Sequence, residues 1–310
     1  MKKERGFALG NFDGVHLGHQ IILKNLIRRS KARGLAPCVY TFDPHPAKLL
    51  APHNAPRLLQ TLEQKLEALK NFKISEVVVE PFTQAFSHKT PRQFVEAVLV
   101  KRLHAKLVCV GYDFTFGFKR SGTAEVLKKL LEEKKIPLII IAPQFRQKVL
   151  VSSTQIRSLV AQGKVDRAAA FLGRPFALIG KVVKGKGYGG SKLHIHTANM
   201  KVENELLPKT GIYATRTRIL RTTNDERRTT HWYPSATSVG FNPTFPGKGF
   251  SVETHLIGFR GELRGKKIEV AFLKWLRDEL AFPNPETLAE QIHKDIAEAK
   301  KINETLRDHR

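Results

Sequence analysis

The segment GNFDGVHLGH, residues 10–19, combines three glycines with two histidines that lie three residues apart. It follows a short apolar run at residues 7–9 and precedes a basic segment with helical periodicity that extends to about Arg33. A strand, a glycine turn and a helix in this order present backbone N–H groups and a helix dipole to an anion. The segment lacks the lysine of a Walker loop, so it is not a P-loop. We therefore predict a site for the phosphates of a nucleotide, in a chain that uses ATP.

Both imidazoles of this segment can reach one phosphate chain, because residues three apart share a helix face. His16 and His19 can then donate hydrogen bonds to the charge that develops during attack on an α-phosphorus. The H-x-G-H pattern is similar to the signature of the nucleotidyltransferase superfamily. The turn is expected to bind ATP phosphates through Gly10, Asn11, Phe12, Asp13 and Gly14.

A second group of candidate phosphate ligands lies in VSSTQIRSL, residues 151–159. Hydroxyl groups and the N-terminal dipole of a helix bind phosphate oxygens, and an arginine adds a charge-assisted contact. The same residue types also occur in ordinary helix caps. The candidates here are Ser152, Ser153, Thr154 and Arg157.

A third segment, VGYDFTFGFKRSG at residues 110–122, follows an apolar run. Ligands bind outside the carboxyl ends of parallel strands. Aromatic side chains with one carboxylate suit a flat ring system, and basic residues suit phosphate, although one or two of the phenylalanines can equally be core residues. We predict a flavin or nucleotide loop that includes Asp113, Phe116 and Arg120.

Composition restricts the classes of protein that this chain can be. Its 310 residues are 41% hydrophobic, which is enough for two domains with cores of their own. No window approaches the roughly 18 apolar residues of a membrane span, so we expect a cytoplasmic protein without a membrane partner. Cys38 and Cys109 lie singly in apolar runs, which predicts buried strand residues in a reducing compartment. The net charge of +25 attracts anions of any class.

The pattern of elements changes near the middle of the chain. Strand-like and helix-like segments alternate in the first half, which predicts a parallel, Rossmann-like sheet covered on both faces. Residues 152–173 are predicted to form closing helices. After Gly173, short strand-like runs punctuated by glycine and proline predict a small antiparallel β-barrel, followed by a C-terminal helix. The predicted domains are residues 1–173 and 174–310.

The three segments of the first half together resemble the N-terminal part of the bacterial bifunctional riboflavin kinase/FMN adenylyltransferases, the FAD synthetases. The resemblance extends to TFDPHP, PRQFVEAVLVKRLHAK and GKVDRAAAFLGRPF. It implies the reaction FMN + ATP → FAD + pyrophosphate. His16 and His19 would then stabilise the ATP phosphates and the transition state.

The second half resembles the riboflavin kinase barrel of the same enzymes, through YPSATSVGFNPTF and FSVETHLIGFRGELRGKKIEVAFLKWLRDE among other segments. The resemblance implies phosphorylation of riboflavin by Mg-ATP, with Glu253 as the base on the ribityl hydroxyl. Thr197 and Asn199 would hold Mg²⁺, and Arg277 and Glu279 would lie on the flavin side. The remaining implied ATP ligands of the kinase are Gly185, Gly187 and Lys192.

The kinase half also departs from the family pattern. A Gly-Phe-Pro run normally precedes the Thr-Ala-Asn of the nucleotide motif, and here it is His194-Ile195-His196. Because proline fixes φ, its loss can loosen the loop that aims Thr197. Ser235 and Ser238 also replace the usual glycine and asparagine. An adenylyltransferase with an impaired kinase barrel is therefore an alternative to the bifunctional enzyme.

Two further interpretations come from residues that the family pattern does not explain. His194 and His196 share one face of a strand, so with His231 or His255 they can chelate a metal. The positive charge allows a basic nucleic-acid-binding protein on a nucleotide-binding fold, but few aromatic residues interleave with the basic ones for base stacking. We expect small-molecule partners and no specific nucleic acid, and the oligomeric state stays open.

Overall fold

The computed structural model of the chain describes residues 4–184, 196–220, 231–241 and 249–308. The chain divides into two compact units, Met1–Ser153 and Thr154–Arg310. Among the described residues, no helix is both long enough and apolar enough to cross a bilayer.

The first unit is built on a five-stranded sheet whose strands all run parallel, in the order β3-β2-β1-β4-β5. The strands are β1 (Arg5–Leu9), β2 (Ala36–Asp43), β3 (Glu76–Pro81), β4 (Ala105–Gly111) and β5 (Leu138–Ile141). The chain builds outward from β1 on one side and then returns to add β4 on the other. The carboxyl ends of β1 and β4 therefore flank the switch point, where ligands bind in open parallel sheets.

Helices cover both faces of this sheet. The helices of this unit are α1 (Leu17–Lys31), α2 (Pro46–Leu50), α3 (Leu62–Lys70), α4 (Gln84–Ser87), α5 (Pro91–Gln93), which continues as a π-helix over Phe94–Arg102, and α6 (Ala124–Glu132). Strand residues alternate between two apolar clusters: Phe7 packs with the π-helix and α6, while Ala8 packs with α1 and α3. A short hairpin, β6 (Phe145–Arg146) with β7 (Val149–Leu150), ends the unit.

The two cysteines occupy this core, as predicted. Cys38 and Cys109 are fully buried on β2 and β4, and neither is in a disulfide. Burial raises the pKa of the Cys38 thiol to about 11 and that of Cys109 to about 12. Both are small core residues in the protonated form.

One polar network lies at the edge of the core and links three elements. The Tyr40 hydroxyl on β2 donates to Glu80 on β3 over 2.5 Å, and Arg102 at the end of the π-helix pairs with Glu80. Burial of Glu80 opposes ionisation, but hydrogen bonds from Arg102 and Tyr40 outweigh it and lower the pKa of the carboxyl. The network therefore holds a charged carboxylate.

The second unit begins with α7 (Ser153–Ala161), which starts on the last residue of the first unit, and α8 (Val165–Leu172). A closed antiparallel barrel follows, in the order β10-β11-β12-β9-β8-β13. Its strands are β8 (Phe176–Val183), β9 (Ala198–Val202), β10 (Gly211–Leu220), β11 (Tyr233–Gly240), β12 (Ser251–Leu256) and β13 (Lys267–Arg277). The C-terminal helix α9 (Pro285–Asp308) packs on β10, β11 and β13.

The predicted fold class, a parallel sheet followed by an antiparallel barrel and a helix, is confirmed. Two strands differ from the sequence prediction. The apolar runs of the sequence do not indicate β9, and they predict a strand over THWYP that ends at Pro234, whereas β11 continues through PSATSVG. β11 differs because small and polar residues fill one buried face of the barrel, whereas β9 is a short strand of five residues. The domain boundary after residue 173 stays a prediction.

That buried face carries a hydroxyl cluster instead of an apolar stripe. Five hydroxyl side chains on β10, β11 and β12 have no solvent exposure, and they hydrogen-bond to one another over 2.7 to 3.4 Å. The hydroxyl cluster consists of Thr215, Thr217, Ser235, Thr237 and Thr254. Asn303 on α9 donates to the Thr215 carbonyl beside it, which fixes the helix to the barrel wall.

Candidate active sites

The glycine turn between β1 and α1 has an unusual backbone. Phe12 and Val15 adopt φ values of 51° and 40°, which is costly for residues with a Cβ, and Gly14 has φ of 84°. The side chains of Phe12 and Val15 are fully buried. Such a conformation persists only where surrounding contacts determine it.

His16 is the N-cap of α1, so the helix begins at Leu17. Its Nδ1 accepts a hydrogen bond from the backbone N–H of His19 over 3.4 Å. Since Nδ1 acts as an acceptor, the proton of the neutral ring is on Nε2. Nε2 is therefore the atom of His16 that can donate to an anion.

The two imidazoles of H-x-G-H meet face to face. The rings of His16 and His19 are stacked with centroids 3.6 Å apart, and Phe12 lies edge-on to His19 at 5.2 Å. A Cβ on Gly18 would approach the His16 ring to 3.2 Å, so glycine leaves room for that ring over the first helical turn. The structure brings the predicted pair together, and their catalytic role stays a prediction.

Side chains from other segments hold the carbonyl side of the turn. The Asn11 carbonyl accepts from Thr41 on β2 at 3.1 Å and from Lys65 on α3 at 3.5 Å. Gln60 donates to the Phe12 carbonyl at 3.1 Å. The Asp13 carbonyl accepts from the Ser153 hydroxyl at 2.9 Å.

Asp13 contributes its side chain as well as its carbonyl. Its Oδ1 accepts from the backbone N–H of Leu59 over 3.0 Å, and the residue is only 7% exposed. The predicted phosphate ligands Gly10 to Gly14 therefore form one hydrogen-bonded unit with residues 59–65. Gly10 itself donates to the Tyr40 carbonyl of β2 at 3.2 Å.

The second predicted group spans the division between the two units. Ser152 and Ser153 belong to the first unit, and the Ser153 hydroxyl holds the glycine turn. Thr154, which is exposed, and Arg157, which is half-buried, lie in the first two turns of α7 in the second unit. A phosphate-binding role of all four stays a prediction.

The predicted ligands in the loop after β4 differ in their exposure to solvent. Asp113 and Arg120 are exposed. Phe116 is buried and contacts Phe114, with ring centroids 5.6 Å apart, and Phe94 at 5.4 Å. Phe116 is thus a core residue here, which was the other interpretation of these aromatics, and a ligand contact by it stays a prediction.

Candidate kinase residues meet on neighbouring strands of the barrel. Glu253 on β12 is directly paired with Asn199 on β9, and the Thr197 hydroxyl donates to Glu253 Oε2 over 3.3 Å. Ser251 donates to the other carboxylate oxygen at 3.2 Å. Thr197 is exposed, so this group of oxygen atoms opens to solvent. Hydroxyl, amide and carboxylate oxygens are the donors that suit Mg²⁺.

The other predicted kinase residues have different surroundings. Gly185, Gly187 and Lys192 lie outside the described residues. Arg277 forms a two-point ion pair with Asp295 on α9, at 3.0 and 2.7 Å. Glu279 accepts from the backbone N–H of Phe241 at 3.1 Å. Flavin contacts by Arg277 and Glu279 stay predictions.

The histidine metal site receives no support from the part of the chain that the structure describes. His194 lies outside that part, and His255 Nδ1 lies 2.9 Å from the His196 carbonyl, as a donor to it. Across the described ranges, there is no group of three or more His, Cys, Asp or Glu side chains placed to hold a metal ion.

Comparison with known proteins accounts for both halves. The FAD synthetase family matches residues 1–155, and the riboflavin kinase family matches residues 172–303. The chain belongs to the bifunctional riboflavin kinase/FMN adenylyltransferase family. One such enzyme, from Buchnera aphidicola subsp. Schizaphis graminum, is 32% identical over 95% of this chain and 92% of its own length. Another, from Listeria monocytogenes, is 34% identical over 97% and 93%.

A solved structure shares the whole fold. A macrolide-efflux protein from Streptococcus pneumoniae is 27% identical, with a TM-score of 0.84, over 97% of this chain and 95% of that one. The two family matches and the two relatives confirm the predicted membership in the bifunctional riboflavin kinase/FMN adenylyltransferase family. The chain is an enzyme of that family with kinase and nucleotidyltransferase halves.

Sequence reasoning missed the residues that hold the glycine turn in this family member. Lys65 lies in LEQKLEALK, where a lysine is ordinary for an amphipathic surface helix. It is 9% exposed, and burial lowers its pKa despite the nearby charges of Asp43 and Asp13. Only the three-dimensional structure distinguishes it from exposed lysines on the same helix, such as Lys70.

Proposed function

We propose that this chain makes FAD in two ATP-dependent steps. The barrel converts riboflavin + ATP into FMN + ADP, and the first unit converts FMN + ATP into FAD + pyrophosphate. The observation that carries the proposal is the presence of two separate groups of reactive side chains, one in each unit. The stacked His16 and His19 suit adenylyl transfer, and Glu253 with Thr197 and Asn199 suits phosphoryl transfer.

In the adenylyl transfer, a phosphate oxygen of FMN attacks the α-phosphorus of ATP. The new P–O bond forms as the bond to the β-phosphate oxygen breaks, and pyrophosphate leaves. The glycine turn binds the phosphates, and the Nε2–H of His16 donates to the oxygen that gains negative charge. His19, stacked on His16, supports the same charge. Such a reaction needs positioning and charge neutralisation more than covalent catalysis.

In the phosphoryl transfer, the terminal ribityl hydroxyl of riboflavin attacks the γ-phosphorus of ATP. Glu253 accepts the hydroxyl proton as the P–O bond forms, and ADP leaves. Thr197 and Asn199 are the residues that would hold Mg²⁺, which neutralises charge on the ATP phosphates. The hydrogen bond from Thr197 keeps the carboxylate of Glu253 next to this group.

An assay with two flavin substrates tests the proposal. The purified full chain is incubated with riboflavin, ATP and Mg²⁺, and flavins are separated chromatographically and detected by fluorescence. We expect FMN to appear first and FAD after it, and supplied FMN to become FAD. If supplied FMN becomes FAD while riboflavin is unchanged, the kinase half of the proposal is overturned and the impaired barrel is supported. If neither flavin is converted, the whole proposal fails.

A further inference from the structure

The glycine turn is held from its carbonyl side by side chains. The carbonyls of Asn11, Phe12 and Asp13 each accept a hydrogen bond from a side chain elsewhere in the first unit. Residues 59–65 supply two of these side chains, Gln60 and Lys65, together with the Leu59 N–H on the Asp13 carboxylate. We call residues 59–65 the turn support.

Lys65 also fixes the direction of the hydrogen bond from Thr41 to the Asn11 carbonyl. Its ammonium lies 3.3 Å from the Thr41 hydroxyl and 3.0 Å from the Phe42 carbonyl. An ammonium group can only donate, so the Thr41 oxygen accepts from Lys65. The single hydroxyl proton of Thr41 is then directed to the Asn11 carbonyl, 3.1 Å away.

The orientation of a carbonyl determines the orientation of the next N–H, because both lie in one planar peptide group. The only cis peptide in the described part of the chain is Asp43–Pro44, so the turn peptides are trans and each N–H points opposite to its carbonyl. The Asn11 carbonyl points towards Lys65 and Thr41, so the Phe12 N–H of the same peptide group points away from them. The same holds for the Asp13 N–H, opposite Gln60, and the Gly14 N–H, opposite Ser153.

The turn needs this support because its backbone is strained. Phe12 and Val15 have positive φ values, which are strained for residues with a Cβ and persist only where the surroundings enforce them. The turn support and Thr41 are those surroundings. Without them, the peptides of the turn can relax to ordinary conformations, and their N–H groups change direction.

We propose that Lys65 is a positioning residue of the adenylyltransferase site, which orients Thr41 and thereby aims the N–H groups of the glycine turn at the ATP phosphates. This inference rests on the proposed adenylyl transfer in the first unit. Lys65 itself touches backbone and hydroxyl oxygens of the protein, and its effect on the nucleotide passes through the turn.

The test compares Lys65→Met with Lys70→Met in the full chain. Both remove one ammonium from α3, but Lys70 is exposed and lies outside the site. We expect Lys65→Met to lower kcat/KM of FAD formation about a hundredfold, with a higher KM for ATP. Riboflavin phosphorylation should stay within about twofold of wild type, and Lys70→Met should resemble wild type in both reactions. A folded Lys65→Met with wild-type kcat/KM would overturn the proposal.

A second pair of variants keeps the test decisive if Lys65→Met does not fold. Thr41→Val removes the hydroxyl that bonds the Asn11 carbonyl, and Thr41→Ser retains it. Loss of FAD formation in Thr41→Val with rescue in Thr41→Ser supports the inference, because a purely packing role would not distinguish the two in this direction. Equal activity of both variants would overturn it.

The failure of the proposed function has a different signature. If the wild-type chain makes no FAD at all, the proposed reaction is wrong whatever the variants do. Crystal structures of wild type and of Lys65→Met, or of Thr41→Val if the former does not fold, then test the positioning separately. An Asn11 carbonyl that rotates away from Thr41 in the variant supports it, and an unchanged turn overturns it.

Discussion

The two candidate sites are constructed from different parts of the chain. In the first unit, the proposed binding surface is the backbone of one short turn, and side chains from β2, the turn support and the start of α7 hold that turn in place. In the barrel, the proposed site consists of side chains on or next to two paired strands. A backbone site depends on many distant residues, whereas a side-chain site depends on few. Substitutions should therefore act over a wider area in the first unit than in the barrel.

The largest expected effect is the loss of adenylyl transfer alone, with riboflavin phosphorylation retained. His19→Ala removes one imidazole of the stacked pair, and we expect FAD formation from FMN to fall about 10³-fold, as for the loss of a donor to transition-state charge. Riboflavin phosphorylation should be nearly unchanged, as should both reactions in the control His53→Ala. Equal loss of both activities in a folded His19→Ala protein would refute the separation of the sites.

Glu253→Gln should have the opposite effect, with loss of riboflavin phosphorylation and retention of adenylyl transfer. The amide preserves the size of the side chain but cannot accept the ribityl proton, so we expect the kinase rate to fall about 10²-fold while FMN is still adenylylated. Initial rates with riboflavin and with FMN measure the two reactions. The exposed Glu290→Gln on α9 is the control. An unimpaired kinase would remove Glu253 from the proposed mechanism.

Thr215→Val tests whether the barrel, unlike the first unit with its apolar clusters, depends on buried hydroxyl groups for stability. It replaces one hydroxyl of the hydroxyl cluster by a methyl group of similar size, and leaves the partners on Ser235 and Thr237 with fewer bonds. We expect the free energy of unfolding of the barrel to fall by about 1–3 kcal/mol. Urea denaturation measures this, with the exposed Thr305→Val as a control. No loss of stability would mean that the cluster is not needed to hold the barrel together.

Glu80→Gln has the smallest expected effect and depends on pH. The pKa of Glu80 is lowered in the folded state from its usual 4.5, so its charge stabilises the fold above that pH, and this contribution is lost as pH falls through the lowered value. We expect Glu80→Gln to cost about 1 kcal/mol at pH 7, and less as pH falls below about 4.5. Thermal unfolding across this range, with Glu304→Gln as control, measures it. A cost independent of pH would show that the pair with Arg102 does not hold the carboxylate ionised.

The sequence predicted the parts of the molecule that follow a periodic pattern. All five parallel strands and the longer helices between them have continuous apolar runs or helical spacing, which burial on two faces enforces, whereas the short helices α2 and α4 have no such pattern. Glycines and histidines identified the turn after β1 because few other arrangements use them together. Strand β9 escaped prediction because it has only five residues, although Ala198, Met200 and Val202 alternate with polar residues.

Contacts between distant segments could not be predicted from the sequence. The bonds from Gln60 and Lys65 to the glycine turn join residues 48 and 54 positions apart, and nothing local marks them. For Phe116, the local pattern itself is ambiguous, since an aromatic residue after a parallel strand suits a ligand loop and a core equally well. Only the three-dimensional structure shows that Phe116 packs in the core, against Phe94 and Phe114.

The burial of the two cysteines has a practical consequence for labelling. With thiol pKa values of about 11 and 12, both are almost entirely protonated near neutral pH, and both are shielded from reagents in solution. They are the only cysteines in the sequence. A cysteine introduced at an exposed position such as Lys70 would therefore be the one reactive thiol of the folded protein, and a fluorophore attached there would report from a single known place on α3.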